Sequence, residues 1–167
     1  PGLIEVPKNN PKDNQLLGET EVTIAENGDL NAISKNVFAG RSEILFRPLF
    51  SSGPGPAISD QLVKIQLAMY GLTGSGRVIE TSDPHLVGKP LSLTFEVTIP
   101  DFTTLSPRGT LTIPSGLNMF GPGMLEMFTK DAKRNTDLIV GAMHLNEKFR
   151  IRLPEKAVFG ELPEPIN

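Results

Sequence analysis

Between Glu19 and Ile24 the chain alternates strictly. Thr20, Val22 and Ile24 take every second position, and Glu19, Glu21 and Thr23 fill the others. That period of two predicts a strand with one buried face. Asn27-Gly28 follows and predicts a tight hairpin turn, because these residues reach positive φ at little cost. The return strand is expected from about Leu30 to Phe38, and a shorter strand over residues 3–6 is expected before the hairpin. Later stretches repeat the pattern. Leu91, Leu93, Phe95, Val97 and Ile99 share one face, and Leu111 and Ile113 alternate with Thr110 and Thr112. Phe149, Ile151 and Leu153 alternate with Lys148, Arg150 and Arg152, and a short strand is expected over residues 77–80.

One segment changes period. Ile58, Leu62, Ile65, Met69 and Leu72 recur at spacings of four and three, which predicts an amphipathic helix over about 58–72 with this stripe buried. Ser59 suits its N-cap and Asp60 the positive end of its dipole. Gly71 or Gly74 suits its stop. Residues 41–46 read as a helical turn or an irregular strand, broken by Pro48 and the Ser- and Pro-rich run after it. The 15 Pro and 16 Gly argue for many short elements. The expected class is therefore α+β and β-rich, an antiparallel sheet or sandwich with one packed amphipathic helix. The chain's 167 residues are enough for one domain with a real core.

Charge and composition narrow the function classes. The formal net charge is -3, and the 16 Lys and Arg form no basic block, so no nucleic-acid partner is expected. No stretch approaches the roughly 18 apolar residues of a membrane span. A start at Pro1 rather than Met reads as a processed or cut chain. Cysteine is absent, which removes a thiol nucleophile, disulfides and thiolate zinc sites. The two histidines, His85 and His144, lie far apart.

The glycines of "YGLTGSGRV" read as G-x-x-G-x-G at Gly71, Gly74 and Gly76. A phosphate cradle precedes its helix, where free N–H groups face outward. Here the glycines follow the helix and no G-K-[ST] is present, so helix stop and turn is the reading. Asp83 and His85 offer a carboxylate and an imidazole, half of a metal or acid/base site, or the polar shoulders of a turn bent by Pro84. Ser75 and Ser115 each neighbour glycine but fit no nucleophile elbow. Met119, Phe120, Met124, Met127 and Phe128, with Leu125, form the most apolar loop cluster. It is either core beneath a loop or an adaptable interaction surface. No catalytic residue, metal ligand or cofactor site is assigned.

Several ordered motifs resemble the region downstream of the catalytic core in bacterial transglutaminase-like proteins that begin with a β-rich domain. They are the Asn10–Asn14 run; "VFAGRSEILFR" over 37–47; the helix ending in "GLTGSGR"; "LTFEVTIPDF" over 93–102; "LTIPSGLNMFG" over 111–121; Arg134; and "EKFRIRLPEKAVFGELPE" over 147–164. The resemblance implies that catalysis belongs elsewhere in the parent chain, since that core uses Cys, His and Asp and no cysteine is available here. Residues 1–167 are then a single β-rich accessory domain, truncated at its C-terminal end, that packs against the core or holds a protein or peptide substrate. The resemblance also implies a periplasmic or extracellular setting. The alternative is a stand-alone protein- or glycan-binding module. A metal-dependent enzyme centred on Asp83 and His85 is the third class. The prolines after Leu153 place the tail at or outside a sheet edge, and a truncated edge predicts weak self-association.

Overall fold

The computed structural model describes residues 10–51, 56–105, 111, 143–157 and 160, with residues 45, 56, 57 and 69 described by their backbone. Its frame is one five-stranded sheet, built from β1 (Gln15–Ile24), β2 (Leu30–Phe38), β3 (Ser75–Thr81), β4 (Leu91–Ile99) and β5 (His144–Arg152). Their spatial order is β3-β4-β2-β1-β5. The neighbouring pairs β1–β2, β2–β4 and β3–β4 are antiparallel, while β5 runs parallel to β1. Two helices, α1 (Arg41–Phe50) and α2 (Pro56–Met69), lie between β2 and β3 in the chain. The β-rich α+β class is the one the strand patterns predict. The differences are a second helix and a parallel edge pair in place of a wholly antiparallel sheet.

Strand alternation sets which face is buried. On β1, Leu16, Thr20, Val22 and Ile24 point inward while Glu19, Glu21 and Thr23 are exposed. On β2 and β4 the inward set is Leu30, Ala32, Ser34, Asn36 and Phe38 with Leu91, Leu93, Phe95, Val97 and Ile99. Phe149, Ile151 and Leu153 pack against the same core from β5 and just beyond it. The strand expected from Leu111 and Ile113 lies outside the described residues except for Leu111, which packs against the core. The strand over residues 3–6 also lies outside them.

The β1–β2 turn differs from a two-residue primed turn. The Gly28 amide donates to Ala25 O at 3.0 Å, and the Ala25 amide to Asp29 O at 2.9 Å. Only Gly28 in this turn has positive φ, at 89°. This is a three-residue connection closed by a left-handed glycine. A Cβ there would sit 1.9 Å from Thr103 O, because residues 101–103 run close over the turn.

Pro48 does not break the chain where expected. It lies inside α1, which continues to Phe50. Proline removes one backbone donor, but Phe46 and Phe50 are both buried and anchor the turns on either side. The Phe46 ring meets that of Phe38 with centroids 4.6 Å apart.

The predicted stripe of α2 is also displaced. Ile58 is 52% and Ile65 51% exposed, whereas Val63 and Leu67 are buried at 1% and Leu62 only partly packs on the core. The sheet-facing side is Ser59, Val63, Gln66 and Leu67. Ser59 is not the N-cap. Its Oγ accepts the Val78 amide of β3 at 3.1 Å.

Close approach explains two of the three glycines. A Cβ on Gly76 would meet Glu96 O at 2.3 Å and Val63 Cγ1 at 2.8 Å, and one on Gly74 would meet Thr98 O and Leu67 Cδ1. Gly71, at φ 68°, is the helix stop. The Leu72 amide donates to Leu67 O at 2.9 Å and the Gly71 amide to Ala68 O at 3.0 Å, the paired bonds of a Schellman cap.

Candidate functional site

Nine residues, 82–90, join β3 to β4. The base of this loop is closed by the Ser82 amide donating to Ser92 O and the Ser92 amide to Ser82 Oγ, both at 2.9 Å. Asp83 and His85 lie here, and both serve the loop. Asp83 Oδ1 accepts the His85 amide at 2.8 Å, and His85 Nε2 is 3.0 Å from Ser51 O at the end of α1. Arg47 of α1 supplies the larger brace. Its Nη1 donates to Pro84 O at 2.8 Å, and its Nη2 donates to Lys89 O. Glu43 Oε2, one turn back on α1, holds the same guanidinium at 2.8 Å. One planar cation thus ties both shoulders of the loop, which a lysine ammonium would not reproduce. Between the shoulders protrude Leu86, 45% exposed, and Val87, 84% exposed.

The sheet face away from the core is a second candidate surface. The β1–β5 register sets Glu19 opposite Lys148, Glu21 opposite Arg150 and Thr23 opposite Arg152. Arg150 Nη1 reaches Glu21 Oε1 at 2.5 Å, Arg152 Nη2 reaches Glu21 Oε2 at 3.6 Å, and Lys148 Nζ lies 3.9 Å from Glu19. Across the sheet, Arg77 pairs with Glu96 at 2.9 Å. The alternating basic side of "NEKFRIR" is thereby matched to acidic residues of β1. Exposed pairs of this kind contribute little each, but their order fits one register of β5 on β1. His144 opens β5, and its amide donates to Asn14 O at 2.8 Å.

Inside the sheet, Thr20 Oγ1 and Ser34 Oγ lie 2.9 Å apart, and Asn36 Nδ2 donates to Ser34 Oγ at 3.2 Å. Asn36 is fully buried, and its Oδ1 has no hydrogen-bond partner among the described residues. Two carboxyls are perturbed. The Asp101 amide and then the Asn27 side chain hold the Asp29 carboxyl below its ordinary value. Burial pushes the Glu147 carboxyl above its own.

Among the described residues no group of three or more His, Cys, Asp and Glu side chains could hold a metal ion. No described helix is long and apolar enough to cross a membrane. Met119, Phe120, Met124, Met127 and Phe128, the interaction surface suggested by sequence, lie outside the described residues. The sequence reading did not single out Arg47 or the Leu86-Val87 pair. A signal for each was present: an apolar pair inside the polar run "DPHLVGKP", and Glu43 four residues before Arg47 on one helical face. No family model, curated protein or solved structure matches the chain.

Proposed function

We propose that the chain is a non-catalytic, β-rich interaction domain, accessory to a bacterial transglutaminase-like catalytic core and working in the periplasm or outside the cell. It packs against that core or holds its protein or peptide substrate. The observation that carries the interaction role is the apolar surface left outside the core, which includes Ile44 and Leu49 on α1, Ile58 and Ile65 on α2, and Leu86 and Val87 on the β3–β4 loop. The use made of Asp83 and His85 supports the same reading, since both hold a loop in shape. The link to the transglutaminase-like core is supported by the order of motifs along the sequence.

A glycan-binding role for the open sheet face gains no support from its residues. Sugar rings pack on exposed aromatic faces, and the outward positions of β1, β2, β4 and β5 carry polar and charged residues with the aliphatic Leu17, Ile33 and Val37 but no Phe, Tyr or Trp, while Phe95 and Phe149 point toward the core. The test pairs the purified chain with the catalytic region encoded beside it. Association, with the chain alone inert toward transamidation and amide hydrolysis, is the expected result. Turnover of an acyl-donor peptide by the chain alone would sink the proposal.

A further inference from the structure

We infer that Asn27 is a modification site: it deamidates to aspartate or isoaspartate when residues 101–103 lift off the β1–β2 turn, and the carboxylate formed there hinders their return. Asn27-Gly28 is the one Asn-Gly pair in the chain. Glycine after asparagine offers the least hindered backbone nitrogen for attack on the side-chain carbonyl, because it has no Cβ. Asn27 is exposed, yet Gly28 beside it is buried. The stretch that follows β4 covers it. The Thr103 amide donates to Gly28 O at 3.1 Å, and Thr103 O stands where a Cβ of Gly28 would be. The Asp101 amide, at a residue with φ 49°, donates to Asp29 Oδ1 at 2.9 Å.

Deamidation needs two things that the closed turn withholds. The Gly28 nitrogen must lose its proton to a base, and here Ala25 O holds that proton across 3.0 Å. The carboxamide must swing onto that nitrogen, and here both of its ends are tied to Asp29. Asn27 Nδ2 donates to Asp29 Oδ2 at 2.8 Å, and Asn27 Oδ1 accepts the Asp29 amide at 3.3 Å. A turn opens locally at far lower cost than the sheet behind it. Once it is open, the Gly28 nitrogen bonds to Asn27 Cγ and the Cγ–Nδ2 bond breaks. Ammonia leaves, taking up through solvent the proton that Gly28 gave away. Water then opens the cyclic imide at either carbonyl and completes the new carboxylate.

Either product undoes the hold. A carboxylate at position 27 has no donor for Asp29 Oδ2, and it sets two like charges where a neutral amide met one. Glu26 and Asp101 add to the negative charge of the turn, and none of Glu26, Asp29 and Asp101 forms an ion pair among the described residues. Isoaspartate also lengthens the backbone by one methylene, inside a turn closed by the Gly28–Ala25 and Ala25–Asp29 bonds. Asp29 anchors the Asp101 amide, so displacing Asp29 frees the stretch that covers Gly28.

The experiment incubates the full chain at mildly alkaline pH, folded and in urea, and follows aspartate and isoaspartate at each asparagine by peptide mass spectrometry. The expected result is conversion at Asn27 ahead of every other asparagine, several-fold slower in the folded chain than in urea. Asp29→Ala, which removes the ties to Asn27 and to the Asp101 amide, should raise the folded rate several-fold. Should Asp29→Ala fail to fold, Thr103→Pro removes the donor to Gly28 O and should raise the rate in the same direction. Hydrogen exchange reads the consequence. The Asp101 and Thr103 amides should exchange several-fold faster in the converted chain and in Asn27→Asp than in the fresh chain, with the β1–β2 ladder amides unchanged. No conversion at Asn27 in the folded wild type or in either variant would overturn the site. A folded chain that converts as fast as the unfolded one, or a rate indifferent to both variants, would overturn the control by residues 101–103. Exchange at Asp101 and Thr103 unaltered by Asn27→Asp would overturn the effect of the new carboxylate.

Discussion

Asn14 Oδ1 accepts the amide of Arg41, the first residue of α1, at 3.0 Å across 27 residues of sequence. The helix has no cap of its own, because Gly40 stands at its N-cap position. An asparagine just before β1, at the same open end of the β-hairpin, supplies the acceptor instead. Asn14 makes three further ties. It is only 5% exposed, its Nδ2 donates to Asn10 O at 3.0 Å, its amide donates to Pro11 O at 3.1 Å and its carbonyl accepts the His144 amide at 2.8 Å. The start of β1, the start of α1 and the start of β5 therefore meet at one residue.

Asn14→Ala should cost about 1–2 kcal/mol, the upper part of the range for a lost cap, since the part-buried Arg41 amide loses its acceptor. Asn14→Asp keeps the acceptor at the helix N-terminus, where a carboxylate is favoured, and should lose less. Urea denaturation of both variants gives the comparison. Equal losses would show that the Arg41 contact contributes nothing.

The two faces of α2 give the next prediction. Leu67→Ala truncates a fully buried side chain and should cost roughly 2–5 kcal/mol. Ile58→Ala and Ile65→Ala remove half-exposed side chains and should stay within about 1 kcal/mol. Denaturation midpoints of the three variants decide whether the helix faces the sheet as described. A large loss from Ile65→Ala would restore the stripe that the sequence predicts.

That displaced stripe shows where sequence reading succeeds and where it stops. β2 occupies the predicted residues 30–38, and β4 the predicted 91–99. Both strands are covered on one face, so alternation alone reports the buried side. A helix can carry apolar residues on two faces at once. On α2 the 58–62–65 stripe is the more regular, yet Val63 and Leu67 reach the core because Gly74 and Gly76 let β3 lie against them. That depends on a neighbour in space, which periodicity within one segment does not contain. The same holds for Arg47, whose partners Pro84 and Lys89 lie about forty positions on, and for Asn14. Asp83 was readable as a polar shoulder of a turn because its bond to the His85 amide is local, whereas the His85 ring reaches Ser51 O, 34 positions back, which local sequence does not contain.

Two glycines should respond differently to alanine. At Gly71 a Cβ would meet nothing within 4 Å, so the cost is that of the left-handed backbone at φ 68° alone, about 1–2 kcal/mol. At Gly76 a Cβ would press on the Glu96 carbonyl and on Val63. A strand backbone moves less easily than a side-chain tip, so Gly76→Ala should cost more, toward about 3 kcal/mol. Adding Val63→Ala should fail to recover the loss, because the carbonyl contact remains. Full recovery in the double variant would locate the crowding in the Val63 side chain.

Stability should depend on pH through two carboxyls of opposite sign. Asp29 has a lowered folded-state pKa, caused first by the Asp101 amide and then by Asn27. The folded chain therefore binds fewer protons at this group than the unfolded chain does. The stabilisation is present above the ordinary aspartate range and is lost as pH falls through the lowered value. Glu147 has a raised folded-state pKa caused by burial. There the folded chain holds the proton longer, so stability falls as pH rises from the ordinary glutamate range through the raised value. Asp29→Asn should then be less stable than the wild type at neutral pH, with the gap closing toward strongly acid pH. Glu147→Gln should track the wild type in acid and gain on it as pH rises past the glutamate range. Urea midpoints from acid to neutral pH separate the two effects, because each variant removes one slope and leaves the other. A Glu147→Gln curve parallel to the wild type throughout would show that this carboxyl titrates alike in the folded and unfolded chains.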